Sequence, residues 1–139
     1  MQTITVRFLQ CVGGLLILLG VVHLAATPHI PSLLGSSGSE VYQRAVGPTL
    51  LNHVLVGVLL LPLGYTTWAA ADASGRREPW AKRVLIVNAM VVASLPVAIA
   101  VYMRRPEYYT SPLFLMGVGL VGLISVLMIG ATVLISRKQ

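Results

Sequence analysis

Polar and charged residues gather in short clusters along this chain. Between them run four stretches that are apolar on every side: Phe8–Ala26, Thr49–Ala71, Val84–Met103 and Leu113–Ile135. None of the four contains Lys, Arg, Asp or Glu. Each has about the 20 residues that a helix needs to cross a bilayer core. Strands of a membrane barrel would alternate in polarity with a period of two, and these runs do not. A soluble chain of 139 residues lacks the interior to bury four such segments. In lipid the backbone must satisfy its own hydrogen bonds, so long apolar runs are read as helices. The pattern predicts a single all-α domain over residues 1–139, an integral membrane four-helix bundle.

The connections differ in character. Residues 27–48 form the longest, opened by Pro28 and closed by Pro48, with a Gly/Ser-rich centre. Ser39 is placed to cap a short helix over Glu40–Val46. The second connection, Asp72–Arg83, is polar, and Glu78-Pro79 suits a helix start because proline is favoured at the first helical position. Pro62 and Pro96 fall inside the second and third apolar runs, where membrane helices tolerate them. Arg7 before an apolar stretch gives the first run the look of a signal peptide. That run is longer than a usual signal core, and Leu24 is a poor residue at the −3 position of a cut after Ala26. It is expected to be retained.

Composition sharpens the class. Hydrophobic residues make up 56% of the chain and charged ones 10%, well outside the balance of a soluble domain. The formal net charge of +6 would suit a nucleic-acid partner if it were clustered on a soluble surface, but its placement is topological. Arg7, Arg76, Arg77, Lys82, Arg83, Arg137 and Lys138 fall on one side of the four-helix arrangement, and only Arg44, Arg104 and Arg105 on the other. By the positive-inside rule both termini are expected in the cytoplasm of a bacterial-type inner membrane. Trp68 and Trp80 fit an interfacial aromatic belt on that side, and Tyr102, Tyr108 and Tyr109 fit one on the other. No nucleic-acid partner is expected. The single cysteine, Cys11, excludes an internal disulfide or a multi-cysteine cluster, and is expected to be inert packing.

The candidate chemistry lies in the histidines. His23 stands near the end of the first run and His53 near the start of the second, both about 6–8 Å below the same boundary at 1.5 Å per residue. His29 follows in the connecting loop. Helical spacing puts Gly13, Gly20 and His23 on one face, and His53, Gly57 and Gly64 on one face of the next helix. Run antiparallel, these faces match His23 with His53, Gly20 with Gly57, and Gly13 with Gly64. Glycine stripes let helix backbones approach closely in lipid, and they also leave room for a flat group.

Three readings compete for this site. In the first, His23 and His53 are axial ligands of a b-type haem admitted by Gly20 and Gly57, with Arg44, Arg104 or Arg105 meeting the propionates. In the second, His23, His29 and His53 form a three-nitrogen site for Cu or Zn. In the third the histidines are structural, bonding across the hairpin or to Asn52, and no cofactor is held. A quinone head group bound by His53 and Asn52 is a variant of the redox reading.

Other residues narrow the function. No intramembrane carboxylate is present, which disfavours an acidic proton relay or a carboxylate-bridged di-iron centre. No Ser/His/Asp set at one depth suggests a hydrolase, so an enzyme acting alone is disfavoured. Asn88 is expected to make an interhelical hydrogen bond. Gly117, Gly119, Gly122, Ser125 and Gly130 give the fourth helix a small-residue surface suited to packing within the bundle or against another subunit. The expected role is a membrane binding or electron-transfer subunit, in a homo-oligomer or a larger complex joined through the fourth helix. The rivals are a non-catalytic accessory subunit with structural histidines and, more weakly, a small oligomeric transporter.

Overall fold

The computed structural model describes residues 2–33, 38–103, 110 and 112–136. Helix α1 spans Gln2–Ala26, and a 3-10 turn, Thr27–His29, leads into the single turn of α2, Ile30–Leu33. Helices α3, α4 and α5 span Glu40–Gly75, Pro79–Tyr102 and Pro112–Ser136. Among the described residues there is no strand, and four helices are long and apolar enough to cross a membrane. The all-α, four-helix membrane class is the one that the hydropathy pattern predicts.

The clearest departure is in α3. The short helix expected over Glu40–Val46 and the apolar run from Thr49 are one helix of 36 residues, with Pro48 and Pro62 inside it. Ser39 does cap it, its Oγ accepting from the Tyr42 N–H at 3.1 Å. Pro48 removes one helical donor and its ring crowds the preceding turn, which usually stops or kinks a helix, yet α3 continues through it as it does through Pro62.

Contacts group the chain into two compact units, residues 13–66 and residues 1–12 with 67–139, so α1 and α3 run through both. In the second of these, packing selects one stripe from each all-apolar helix. On α4 the stripe is Ala81, Leu85, Asn88, Ala89 and Val92, and on α5 it is Ile124, Met128, Ala131 and Ile135. Both follow the three-and-four spacing of a helix face. Ala70, Ala71 and Ala73 of α3 are fully buried, the small residues that allow close helix approach without a hydrophobic driving force.

Two buried polar contacts join the helices of this unit. Asn88 Nδ2 donates to Thr67 Oγ1 at 2.9 Å, linking α4 to α3 as expected for Asn88. Ser125 Oγ lies 2.7 Å from the carbonyl of Val121 on its own helix and 3.1 Å from that of Val92 on α4. Large apolar side chains such as Met90, Val97, Met116 and Val126 stand on the surface, the arrangement of a multi-pass membrane protein whose outer faces meet lipid. Cys11, expected to be packed, is exposed on α1.

The α3–α4 connection is built from backbone. The Arg77 N–H bonds the Ser74 carbonyl and the Glu78 N–H bonds the Ala73 carbonyl, with Arg77 left-handed at φ 60°. This is the Schellman closure of a helix, in which glycine is the usual left-handed residue. Glu78 then turns extended and Pro79 opens α4, as the sequence predicts. Arg76 pairs with Asp72 and Glu78. The Arg76 guanidinium, and next the Trp80 indole N–H, hold the Glu78 carboxyl below its ordinary range.

Candidate functional site

The unit formed by residues 13–66 is a helical hairpin, α1 against the first part of α3, and its seam is glycine on glycine. A Cβ on Gly20 would lie 2.9 Å from the Gly57 carbonyl oxygen, and one on Gly57 would lie 3.1 Å from that of Gly20. At the next level a Cβ on Gly64 would lie 2.6 Å from the Gly13 carbonyl oxygen and 2.8 Å from the Ile17 amide nitrogen. The register read from helical spacing is therefore the register of the structure. Gly20 and Gly57 face each other's backbones, and that backbone fills the space a flat group would need there.

One level above the Gly20–Gly57 contact, the imidazoles of His23 and His53 stack. Their ring centroids are 4.7 Å apart and their planes 28° from parallel. The hydrogen bonds around them fix where the protons are. His23 Nδ1 is 3.0 Å from the Leu19 carbonyl oxygen. A carbonyl only accepts, so Nδ1 of His23 carries the proton. The Thr27 hydroxyl donates to the His23 carbonyl at 2.9 Å. Its one proton is thereby committed, so its 3.1 Å contact with His53 Nδ1 runs the other way, with Nδ1–H donating to Oγ1. In their neutral forms both rings are therefore Nδ1–H tautomers, each with a lone pair on Nε2.

That pattern decides what the pair can do chemically. Two Nε2 lone pairs can meet a metal ion or accept from a hydroxyl, but neither can donate to a carbonyl. Imidazoles that bind metals commonly donate their other ring N–H to a backbone carbonyl or a polar side chain, which fixes the ring and raises its basicity. His23 and His53 both have such a support. Both are half-buried.

The remaining sequence candidates are placed as follows. His29 does not join the pair: among the described residues no three His, Cys, Asp or Glu side chains come together as a metal-binding group. It lies exposed in the 3-10 turn, and its backbone carbonyl accepts from Ser32 Oγ. The three-histidine site expected from the sequence is thus reduced to two, because the 3-10 turn carries His29 away from the end of α1. Asn52 is exposed, and the Nδ1 of its neighbour His53 bonds Thr27 instead. Arg104 and Arg105, expected to meet propionates, lie outside the described residues.

The residue missed by sequence reasoning is Thr27. Its signal was present, since it stands four residues after His23, the spacing at which a threonine hydroxyl returns to a helix carbonyl. Its Pro28 neighbour made it read as the first residue of a loop. In the structure it sits in the turn that ends α1, and one hydroxyl serves both the main chain at His23 and the side chain of His53.

The fold and the site together define an all-α multi-pass membrane protein with a stacked, Nδ1-protonated imidazole pair at the head of a glycine-packed helical hairpin. Comparison of the chain with protein-family models, with curated proteins and with solved structures finds no match.

Proposed function

We propose that this chain is a small membrane binding subunit that holds a transition-metal centre through His23 and His53. The observation that carries the reading is the stacked His23–His53 pair, with each ring held by a hydrogen bond at Nδ1 that leaves its Nε2 a lone pair. Of the groups considered, a metal ion suits this best. A b-type haem needs imidazoles that approach iron end-on from opposite faces of the ring, whereas these are stacked face to face, and so it would require them to part. A quinone carbonyl needs a donor, and the neutral Nε2 atoms are acceptors. Electron transfer is the natural use of such a metal if it changes oxidation state, and storage or delivery of the ion if it does not.

The basic residues favour an orientation with both termini in the cytoplasm of a bacterial-type inner membrane, which sets the histidines toward the outer leaflet. A second reading, the non-catalytic accessory subunit, has its own support. A Cβ added at Gly117, Gly119, Gly122 or Gly130 of α5 would meet nothing within 4 Å, so that small-residue surface is free to receive a helix of another subunit. Elemental analysis and an absorption spectrum of the detergent-purified chain, beside a His23→Ala/His53→Ala variant, test the proposal. Stoichiometric metal lost in the variant is the expected result. A metal-free, transparent wild-type chain that cannot be loaded would overturn it in favour of the accessory role.

A further inference from the structure

We infer that the basic end of this chain holds an anionic phospholipid, with an acyl chain in a groove between α1 and α5 and the headgroup on Arg7 and the basic residues around it. The site belongs to the other compact unit, residues 1–12 with 67–139, and does not rest on the metal reading.

The groove runs between the first turns of α1 and the last turns of α5. Ile4 and Phe8 form one wall, and Val126, Gly130 and Leu134, spaced by four, form the other. Its volume is about 440 Å3, the size of a pocket that takes a small ligand. Packing leaves it open on the outer side: Leu9 and Val12 of α1 and Ala131 and Ile135 of α5 are buried, whereas Ile4, Val126 and Leu134 stand exposed. A Cβ at Gly130 would meet nothing within 4 Å. Gly130 is therefore unlike Gly64, where the backbone of α1 takes up the room; here the missing side chain leaves open space.

Charge decides what fills it. Seven basic residues belong to this end of the helices by sequence, Arg137 and Lys138 outside the described residues among them, against two acidic ones, Asp72 and Glu78. Both carboxylates lie on Arg76, and the excess positive charge is balanced from outside the chain. The end of α3 meets α1 here, since a Cβ on Gly75 would lie 3.7 Å from Val6 Cγ2. Arg7 follows Val6, and Arg76 and Arg77 follow Gly75; Arg7 and Arg77 are exposed. Arg7 also stands three residues after Ile4 and next to Phe8, so it adjoins the groove wall. Its stem can lie along apolar surface while the guanidinium reaches the interface.

An apolar cleft that ends in positive charge fits an amphiphile with a negative head. In a bilayer the tail contributes little preference, because lipid tails are as apolar as the groove they enter. Selection comes from the headgroup. Basic pockets between transmembrane helices bind anionic lipid heads, and a guanidinium meets a phosphate through two parallel hydrogen bonds. The groove thus fixes where the lipid lies, and the charge fixes which lipid it is. In the orientation proposed above this end meets the cytoplasmic leaflet, the one with the negative surface potential.

The full-length chain carries its own labelling position for the test. Cys11 is the single cysteine and is exposed on α1. It follows Ile4 and Phe8 by seven and three residues, so it shares their face one turn beyond the groove. A fluorophore on Cys11 is measured in phosphatidylcholine vesicles that contain brominated phosphatidylglycerol, or the same fraction of brominated phosphatidylcholine. Stronger quenching by the anionic lipid is expected. Arg7→Gln should lower that preference about fivefold, the equivalent of about 1 kcal/mol for a basic residue at a lipid surface, and Arg7→Lys should keep most of it. Gly130→Leu fills the groove and should abolish the preference. Gly117→Leu should retain it, being equally open but thirteen residues earlier on α5, about 20 Å at 1.5 Å per residue. Helical content is checked in each variant, and Arg7→Gln, which changes an exposed side chain, carries the test where Gly130→Leu fails to fold. Equal quenching by the two lipids in the wild type, or a preference unmoved in the folded variants, would overturn the proposal. Little quenching by either lipid in a chain that runs as a dimer would overturn it in favour of a second copy in the groove.

Discussion

Gly64→Ala adds one methyl group where the structure has none to spare. The new Cβ would stand 2.6 Å from the Gly13 carbonyl oxygen, 2.7 Å from Ile17 Cγ1 and 2.8 Å from the Ile17 nitrogen. Ordinary contact begins at 3.4 Å, so the closest pair is about 0.8 Å too near. Two of these three atoms are backbone, and no rotamer change relieves them; α1 and α3 must separate. Forced overpacking of this kind typically costs about 1–3 kcal/mol. Against it stands the better helix propensity of alanine, about 1 kcal/mol at most. With the full propensity gain set against it, the net destabilisation expected is up to about 2 kcal/mol, and Gly64→Ala is expected to fall below Gly122→Ala by the whole overpacking cost of about 1–3 kcal/mol.

Gly122→Ala makes the control, because a Cβ there meets nothing within 4 Å and only the propensity gain remains. Reversible unfolding of both variants by a denaturing detergent, followed by circular dichroism, measures the difference. Gly64→Ala as stable as Gly122→Ala would refute the reasoning that the hairpin seam is held by backbone contact. The same substitution should also disturb the histidine pair, since the stacked rings sit on that seam.

Two further outcomes follow from the other unit. Removing the Asn88–Thr67 hydrogen bond in a double-mutant cycle, Asn88→Ala with Thr67→Ala, should give a coupling of about 0.6 kcal/mol, the average for interhelical side-chain bonds in membranes; zero coupling would mean that this bond does not help to join α4 to α3. Arg77→Gly should stabilise the chain by about 1 kcal/mol, because Arg77 holds the left-handed conformation that costs an L-residue roughly that much; a destabilised variant would mean that the Arg77 side chain contributes more than its backbone strain removes.

The sequence alone determined a good deal. Four uncharged runs of sufficient length leave a chain this short only one solution, helices in a membrane, because backbone hydrogen bonds cannot be left open in lipid. The hairpin seam was legible as well. Steps of three, four and seven residues return to one face of a helix whatever surrounds it, so Gly13, Gly20 and His23 had to share a side, as did His53, Gly57 and Gly64. Antiparallel pairing then admitted a single register.

What hydropathy could not supply is direction. A helix that is apolar all round carries no amphipathic signal, so the face of α5 that packs inward was open. Packing chose Ile124, Met128, Ala131 and Ile135 and left the glycines Gly117, Gly119, Gly122 and Gly130 uncovered. Pro48 read as a stop and was not one: α3 continues through it, as it does through Pro62. Most consequential for function, the sequence gathered three histidines and the fold kept two. The turn after α1 carried His29 away and brought Thr27 in. The His23 tautomer follows from a bond within its own helix, but that of His53 depends on Thr27, a distance that only the assembled hairpin sets.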